Sequence, residues 1–176
     1  MLRLLTICTL ALLAATDCCA ARTVEGVVRA VYDGDTILLA TRESGRLKAR
    51  LYGVDAPETA KPDRPGQPFG EAARRALMSK IMGKSVTAEV VDVDQYQRAV
   101  AVIRYDGRDI NREMVAEGMA WAYRHYLQGP YASHYLEAES SARSRRAGLW
   151  RDVNPRPPWE FRQAPDGGRH TGRLQR

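Results

Sequence analysis

Alternating apolar and polar residues, many of them β-branched, predict five β-strands before residue 106. The predicted strands cover residues 24–32, 35–41, 46–54, 84–91 and 99–105. Asp33-Gly34 and Glu43-Ser44-Gly45 are turn signals between the first three runs, so these runs are expected to form a meander.

A loop and a helix separate the third predicted strand from the fourth. Residues 58–68 combine proline, glycine and charged side chains, which predicts an exposed loop. Apolar residues recur every four positions from residue 69 to residue 82, which is helical spacing. Gly83 is the expected end of this helix.

Two more helices are predicted after the fifth strand. Asn111 is expected to cap a short helix that reaches Met119, and a longer helix is predicted over residues 131–147, ended by Gly148. Closing a small sheet into a barrel removes its exposed edges. The order of elements therefore predicts a five-stranded OB-type β-barrel, closed or partly open, with three helices: an α+β fold that is mainly β.

The first 20 residues have the features of a secretory signal peptide. Arg3 is a short basic region, residues 4–15 form an apolar core, and Cys18-Cys19-Ala20 places small residues before an expected cleavage after Ala20. We expect an exported protein, periplasmic or secreted, with no membrane partner after cleavage. An uncleaved membrane anchor is the alternative, which the shortness of the run disfavours.

Composition narrows the chemistry of the mature chain. The chain has 176 residues, a net charge of +6 and 44% apolar residues, which excludes a wholly disordered protein. All three cysteines precede the expected cleavage, so disulfides, thiolate metal sites and cysteine nucleophiles are excluded. The positive charge favours a polyanionic partner, nucleic acid above all.

Proline, glycine and arginine dominate the sequence after Trp150. We expect a domain over residues 21–160, with Pro157-Pro158-Trp159 docked on it, and a basic disordered tail over residues 161–176. The arginines of this tail, Arg162 among them, are candidates for steering a polyanion. We expect a monomer.

Charged residues that suit phosphodiester chemistry fall in three short segments, 33–36, 50–58 and 94–98. Taken singly, each is an ordinary turn or solvated loop. Hydrolysis of a phosphodiester needs a hard cation, an activated water and positive charge around the phosphorus. Asp35 and Asp55 could supply carboxylate oxygens to Ca²⁺, with the carbonyl of Ala56, and Glu58 could orient or deprotonate the water.

Two arginines complete this hypothesis. Arg50 and Arg98 could bind the non-bridging oxygens of the phosphate in forked hydrogen bonds. In a regular strand, however, Arg50 and Asp55 would face opposite sides, because they are an odd number of residues apart. They converge only if the strand bends or ends before Asp55, and Gly53 is the expected place.

The three segments, in this order and spacing and with Ala147-Gly148-Leu149-Trp150 near the end, resemble the staphylococcal (micrococcal) nuclease, or thermonuclease, family over residues 23–159. The resemblance implies an OB-fold barrel with three helices and Ca²⁺-dependent hydrolysis of DNA and RNA to 3′-phosphate ends. It implies calcium ligands at Asp35, Asp55 and the Ala56 carbonyl, and catalytic positions at Arg50, Glu58 and Arg98.

The resemblance also implies two substrate-binding tyrosines. Tyr96 and Tyr123 are similar to family positions that contact the terminal phosphate and the base, although packing at the barrel rim explains Tyr123 equally well. Two positions depart from the family pattern. Ala56 stands in place of a hydroxyl residue, which a carbonyl ligand tolerates, and Gln97 stands in place of a glycine beside Arg98.

Two other functional classes remain open at this point. One is a catalytically inactive OB-fold module that binds nucleic acid, which would be expected to lack one of the five charged positions. The other is a basic domain that binds anionic polymers of the cell envelope. The three histidines are scattered, and hard calcium sites use oxygen, so we expect none of them to be a metal ligand.

Overall fold

The computed structural model of the chain describes residues 22–43 and 45–164. The predicted signal peptide and residues 165–176 of the predicted tail lie outside the described residues. None of the helices in this part of the chain combines the length and the apolar character that crossing a bilayer requires.

Eight strands and four α-helices make up the described residues. The strands are β1 Arg22–Val31, β2 Thr36–Thr41, β3 Gly45–Leu51, β4 Val54–Asp55, β5 Ser85–Val93, β6 Ala99–Tyr105, β7 Arg108–Asp109 and β8 Trp121–Ala122. The helices are α1 Gly70–Ile81, α2 Ile110–Ala116, α3 Tyr131–Ser144 and α4 Pro158–Gln163, and a 3₁₀ turn covers Gly148–Arg151.

Five of the strands close into a barrel. Antiparallel neighbours run in the order β3-β2-β1-β5-β6, and β3 pairs in parallel with β6 to complete the circle, with Ala49 opposite Ala99 and Leu51 opposite Ala101. This confirms the predicted OB-fold barrel and its five strands. The short β7 continues the sheet beyond β6.

The interior of the barrel is filled by alternate residues of its strands, as period-two patterning requires. Val28, Leu39 and Ile103 are fully buried there. Leu77 of α1 and Met114 of α2 belong to the same apolar cluster, so both helices pack on the barrel through it. Each fully buried side chain of this kind contributes about 1.5–3 kcal/mol to the stability of the fold. The barrel is therefore a stable scaffold for the groups on its surface.

Gly53 redirects the chain at the end of β3. Its φ of 69° lies in the left-handed region, and a Cβ there would lie 2.5 Å from a side-chain carbon of Leu127. The chain ends β3 at Leu51 and resumes as β4, which pairs with β8. The predicted break at Gly53 is confirmed, and it lets Arg50 and Asp55 converge.

Asn111 does not cap α2, so that prediction was wrong. Asp109 caps the helix by accepting a hydrogen bond from the backbone N–H of Arg112 at 2.9 Å. Asn111 is instead fully buried; it accepts the N–H of Ile103 at 3.0 Å and donates to the carbonyls of Tyr52 and Ala101. Its amide therefore ties α2 to β6 and to the end of β3.

The C-terminal segment is more ordered than its composition predicts. The expected domain limit at residue 160 falls inside α4, so residues 161–163 are helical, which corrects the prediction of disorder for them. Phe161 is buried, and the ring of Trp159 stacks on Tyr123 with 5.1 Å between centroids. The expected docking of Trp159 is therefore observed, and α4 is fixed beside the end of β4.

Candidate active site

Arg50 joins two buried carboxylates at the side of the barrel. Its Nη1 donates to Oδ1 of Asp35 at 3.1 Å, and its Nη2 donates to Oδ1 of Asp55 at 2.8 Å. The side chain of Asp55 is 0% exposed and that of Asp35 is 5% exposed. Buried charges persist only where they are paired and hydrogen-bonded, which this geometry satisfies.

The turn before β2 fixes Asp35. Its carboxylate accepts the backbone N–H of Ala56 at 3.1 Å and the hydroxyl of Thr36 at 2.9 Å, and its own N–H donates to the Asp33 side chain at 3.0 Å. Gly34 is necessary here, since a Cβ would lie 2.6 Å from the Cβ of Ala56. The Asp-Gly-Asp-Thr sequence thus packs a carboxylate directly against the end of β4.

Burial and pairing move the pKa values of the carboxylates in opposite directions. Burial by itself raises the pKa of Asp35, but the charge of Arg50 and the N–H of Ala56 outweigh it and lower the pKa. Burial and the negative charge of Asp35 raise the pKa of Asp33 to about 7. Burial also raises the pKa of Asp55, despite its bonds to Arg162 and Arg50. The surroundings therefore favour the charged form of Asp35 and disfavour the charged forms of Asp33 and Asp55.

Gln67 clamps the backbone at Glu58. The side-chain oxygen of Gln67 accepts the backbone N–H of Glu58 at 3.0 Å, and the backbone N–H of Gln67 donates to the Glu58 carbonyl at 2.8 Å. The Glu58 carboxylate lies 3.6 Å from Nζ of Lys61. The loop between Glu58 and Gln67 is exposed, as predicted, but the bonds between these two residues close its base. They therefore fix the backbone position of Glu58.

Arg162 of α4 is the site residue that the sequence interpretation missed. Its Nη1 donates to Oδ1 of Asp55 at 3.1 Å and to Oε1 of Glu58 at 2.8 Å, and its Nη2 donates to Oδ2 of Asp55 at 2.8 Å. The docked tryptophan three residues earlier was the available signal, since helical spacing turns both side chains to one side. We call the set formed by Asp35, Arg50, Asp55, Glu58 and Arg162 the site cluster.

Arg98 lies apart from the site cluster, at the turn before β6. Its Nε donates to Oδ2 of Asp94 at 2.7 Å, and Oδ1 of Asp94 accepts the backbone N–H groups of Tyr96 and Arg98. Gln97 has a φ of 59°, in the region that favours glycine. Gln97, which stands where the family pattern has a glycine, therefore lies at a position of backbone strain.

One cavity of about 1110 Å³ collects the predicted residues. Its lining includes both arginines, both tyrosines, Asp35, Ala56 and Glu58, whereas Asp55 is buried beside Arg50 and lies outside the lining. Tyr96 is 70% exposed, with the Arg98 guanidinium 5.4 Å from its ring. Tyr123 both lines the cavity and packs on Trp159, so the two interpretations of this tyrosine are compatible.

The oxygen donors at this site are of the kind that a hard cation prefers. Among residues 22–43 and 45–164, no group of three or more His, Cys, Asp or Glu side chains is arranged to hold an ion. Asp35 and Asp55 nevertheless approach one guanidinium, and Ca²⁺ takes carbonyl and water oxygens as well as carboxylates. The donor set therefore fits such a cation if carbonyl and water complete it.

The fold and the site define a class. A closed OB-type barrel whose open cavity gathers arginines beside buried carboxylates has the parts that phosphoryl-transfer chemistry requires. Comparison with known proteins supports the same class of enzyme. The sequence model of the family described as staphylococcal nuclease homologue matches residues 48–152.

Two relatives extend that match. The chain is 40% identical to the micrococcal nuclease of Shigella flexneri over 150 residues, which covers 80% of this chain and 81% of that protein. It is 38% identical over 133 residues to an uncharacterized endonuclease of Haemophilus influenzae, covering 76% of this chain and 70% of that protein. The chain belongs to the staphylococcal nuclease family and is a phosphodiester hydrolase of that type.

Proposed function

We propose that this endonuclease is exported, depends on Ca²⁺ and hydrolyses both DNA and RNA to 3′-phosphate ends. The observation that carries the proposal is the convergence of Arg50, Asp35, Asp55 and Glu58 beside a cavity that Arg98 also lines. All five charged positions are present, which favours an enzyme over an inactive binding module.

Asp35, Asp55 and the carbonyl of Ala56 are the groups that would hold the cation. The bound cation would supply positive charge to the phosphate as negative charge accumulates on it. Asp35 is already ionised by its pairing with Arg50 and by the Ala56 N–H, so it is prepared to act as a ligand. The alanine at position 56 is no obstacle, because only its main-chain oxygen is needed.

Glu58 is proposed to orient the attacking water. Its backbone is clamped by Gln67 on both sides, and its carboxylate faces the same cavity as the two arginines. Arg50 and Arg98 would donate to the non-bridging oxygens, and their bonds would strengthen as charge develops in the transition state. To do so, Arg98 must exchange its bond to Asp94 for one to phosphate, which its place at the cavity rim permits.

Weak base preference follows from the kind of contacts that the cavity offers. Tyr96 and Tyr123 present aromatic rings at its edge, and stacking on a ring accepts any base. The arginines address phosphates, which DNA and RNA share. We therefore propose cleavage of both polymers.

Gel assays of the mature protein test this function. Labelled DNA and RNA should be degraded with Ca²⁺, should be spared with EGTA, and should carry 3′-phosphates in end-group analysis. Glu58→Gln should fold normally and lose about 10²–10⁴-fold in rate. Binding without cleavage would support the inactive module, and equal retention of an unrelated polyanion on filters would support the envelope-binding domain.

Export rests on the N-terminal sequence pattern alone. Expression of the full chain with its first 20 residues, followed by N-terminal sequencing of the protein outside the cytoplasm, should show a chain that begins at Ala21. Retention of the full chain in the membrane would favour the anchor instead.

A further inference from the structure

Arg162 lies outside the part of the chain that the family model matches, which ends at residue 152. It nevertheless reaches the centre of the candidate site. The backbone that carries it is fixed: Phe161 and Pro158 are buried, and the Gln67 side chain donates to the carbonyl of Arg156 at 3.2 Å. Arg162 is therefore delivered to the site by a docked helix, and only its side chain is free to change position.

The guanidinium of Arg162 occupies oxygens that the cation and the attacking water would need. It contacts both oxygens of Asp55 at 3.1 and 2.8 Å and one oxygen of Glu58 at 2.8 Å. Arg50 takes a third bond to Asp55. A carboxylate offers about four lone-pair directions, so these bonds leave Asp55 little free capacity for a further ligand.

Of the two arginines, Arg162 is the freer to leave Asp55. Arg50 is enclosed, with 18% of its side chain exposed, and is held by Asp35, Asp55 and the Val54 carbonyl. The side chain of Arg162 is 33% exposed and lines the open cavity. A divalent ion on Asp55 would also repel a guanidinium at this distance.

We infer that Arg162 is a further substrate-binding arginine, whose guanidinium rests on Asp55 and Glu58 until a divalent cation binds the oxygens of Asp55 and releases the guanidinium to a phosphate in the cavity. This inference rests on the proposed function, because it requires a cation at Asp55. The planar fork of arginine suits a phosphate as well as it suits a carboxylate, so the exchange replaces one bidentate partner with another.

Two consequences separate this role from a purely structural tie. Removing the guanidinium should strengthen cation binding in the absence of nucleic acid, because a competitor is lost. The same change should weaken nucleic-acid binding in the presence of the cation, because a phosphate contact is lost. A residue that only held α4 in place would strengthen neither interaction.

The experiment compares Arg162→Gln and Arg162→Lys with the wild type and with Arg151→Gln, a control that removes the same charge from an exposed arginine of the same C-terminal segment. Ca²⁺ affinity is measured by titration calorimetry without nucleic acid. Binding of a phosphorothioate oligonucleotide that resists cleavage is measured with Ca²⁺ over a salt series. Circular dichroism confirms that each variant is folded.

We expect Arg162→Gln to bind Ca²⁺ about three- to tenfold more tightly than wild type and to bind the oligonucleotide about tenfold more weakly, with a salt slope lower by about 0.7 for the lost phosphate contact. Arg162→Lys should have Ca²⁺ and oligonucleotide affinities between those of Arg162→Gln and wild type, because lysine keeps the positive charge but lacks the planar fork of arginine. Arg151→Gln should match wild type in Ca²⁺ affinity.

Unchanged or weaker Ca²⁺ binding by Arg162→Gln, or an unchanged salt slope, would overturn the inference. If the wild type binds Ca²⁺ and cleaves nucleic acid in that case, the proposed function stands and only the role of Arg162 falls. If neither the wild type nor any variant binds Ca²⁺, both the proposed cation dependence and this inference fail.

Discussion

Two networks of ion pairs in this protein use similar residues in opposite ways. The site cluster sets Arg50 and Arg162 against carboxylates that include the fully buried Asp55. The second network, which we call the helix network, is formed by Lys80, Arg108, Glu113 and Glu117 and joins α1 to α2 and β7.

The pKa values of one carboxylate from each network, Glu113 and Asp55, are shifted in opposite directions. Pairing with Arg108, followed by Lys80, lowers the pKa of Glu113 to about 2, so its charged form is favoured. Burial raises the pKa of Asp55 although two arginines contact it. The helix network therefore stabilises the fold, whereas the site cluster holds charge that folding alone would disfavour. Carboxylates perturbed in this way cluster at functional sites.

The largest expected effect is on catalysis by the site cluster. Arg50→Gln should lower kcat/KM by about 10²–10³-fold, because one donor to the transition state is lost. Steady-state cleavage of a labelled oligonucleotide measures this. Arg112→Gln, at an exposed arginine of α2, removes the same charge and should leave kcat/KM within about twofold. Equal losses in both variants would show that the effect is one of net charge.

Asp55→Asn should separate stability from cation binding. The variant should lose Ca²⁺ binding in titration calorimetry, since a charged ligand is removed. Its free energy of unfolding without metal should fall by about 1–2 kcal/mol, because relief of the desolvation cost of the buried carboxylate only partly offsets the lost bond from Nη2 of Arg162, which the amide nitrogen cannot accept. A loss of several kcal/mol in urea unfolding would mean that the site cluster is structural after all.

The buried amide of Asn111 tests the support on which the site is built. Asn111→Ala should cost about 2–3 kcal/mol in the free energy of unfolding, since it leaves a buried N–H and two carbonyls without their side-chain partner. Chemical denaturation measures this change. Activity per folded molecule should fall far less than in Arg50→Gln, because the amide contacts the end of β3 and not the cavity. A cost below about 0.5 kcal/mol would contradict this role.

The smallest expected effect concerns the helix network. Glu113→Gln should lower stability at pH 7 by about 1 kcal/mol or less, because the pairs are partly exposed and screened by solvent. The folded-state pKa of Glu113 lies below its ordinary value of 4.5, so its contribution is complete above that pH and is lost as the pH falls towards about 2. Unfolding curves of the variant and wild type should therefore approach each other over this range.

The barrel was predictable from the sequence because its strands are long and strongly patterned. Alternation in β1–β3, β5 and β6 marks which residues face the core, and Gly53 marks the break that brings Arg50 towards Asp55. The pair β4–β8 escaped prediction, since two residues per strand carry no period. Asn111 was assigned to a cap because its residue type favours caps, but tertiary hydrogen bonds to β6 decided its place.

Arg162 escaped prediction for a different reason. Residues 161–176 have the composition of a disordered tail, so the docking expected for Trp159 was not extended to Phe161 and Arg162. In the structure Trp159 and Phe161 both dock α4, and the docking carries Arg162 to Asp55. The bonds of Arg162 join residues 107 and 104 positions apart, so the docking of Trp159 was the one local signal for them.

A crystal structure of the protein with Ca²⁺ and a phosphorothioate dinucleotide would show directly whether the site cluster binds both the cation and the substrate. We expect the ion about 2.3–2.6 Å from oxygens of Asp35 and Asp55, with the thiophosphate group bound by Arg50. A cation and a substrate analogue bound together elsewhere on the barrel, with Arg50 still closed on both carboxylates, would contradict it.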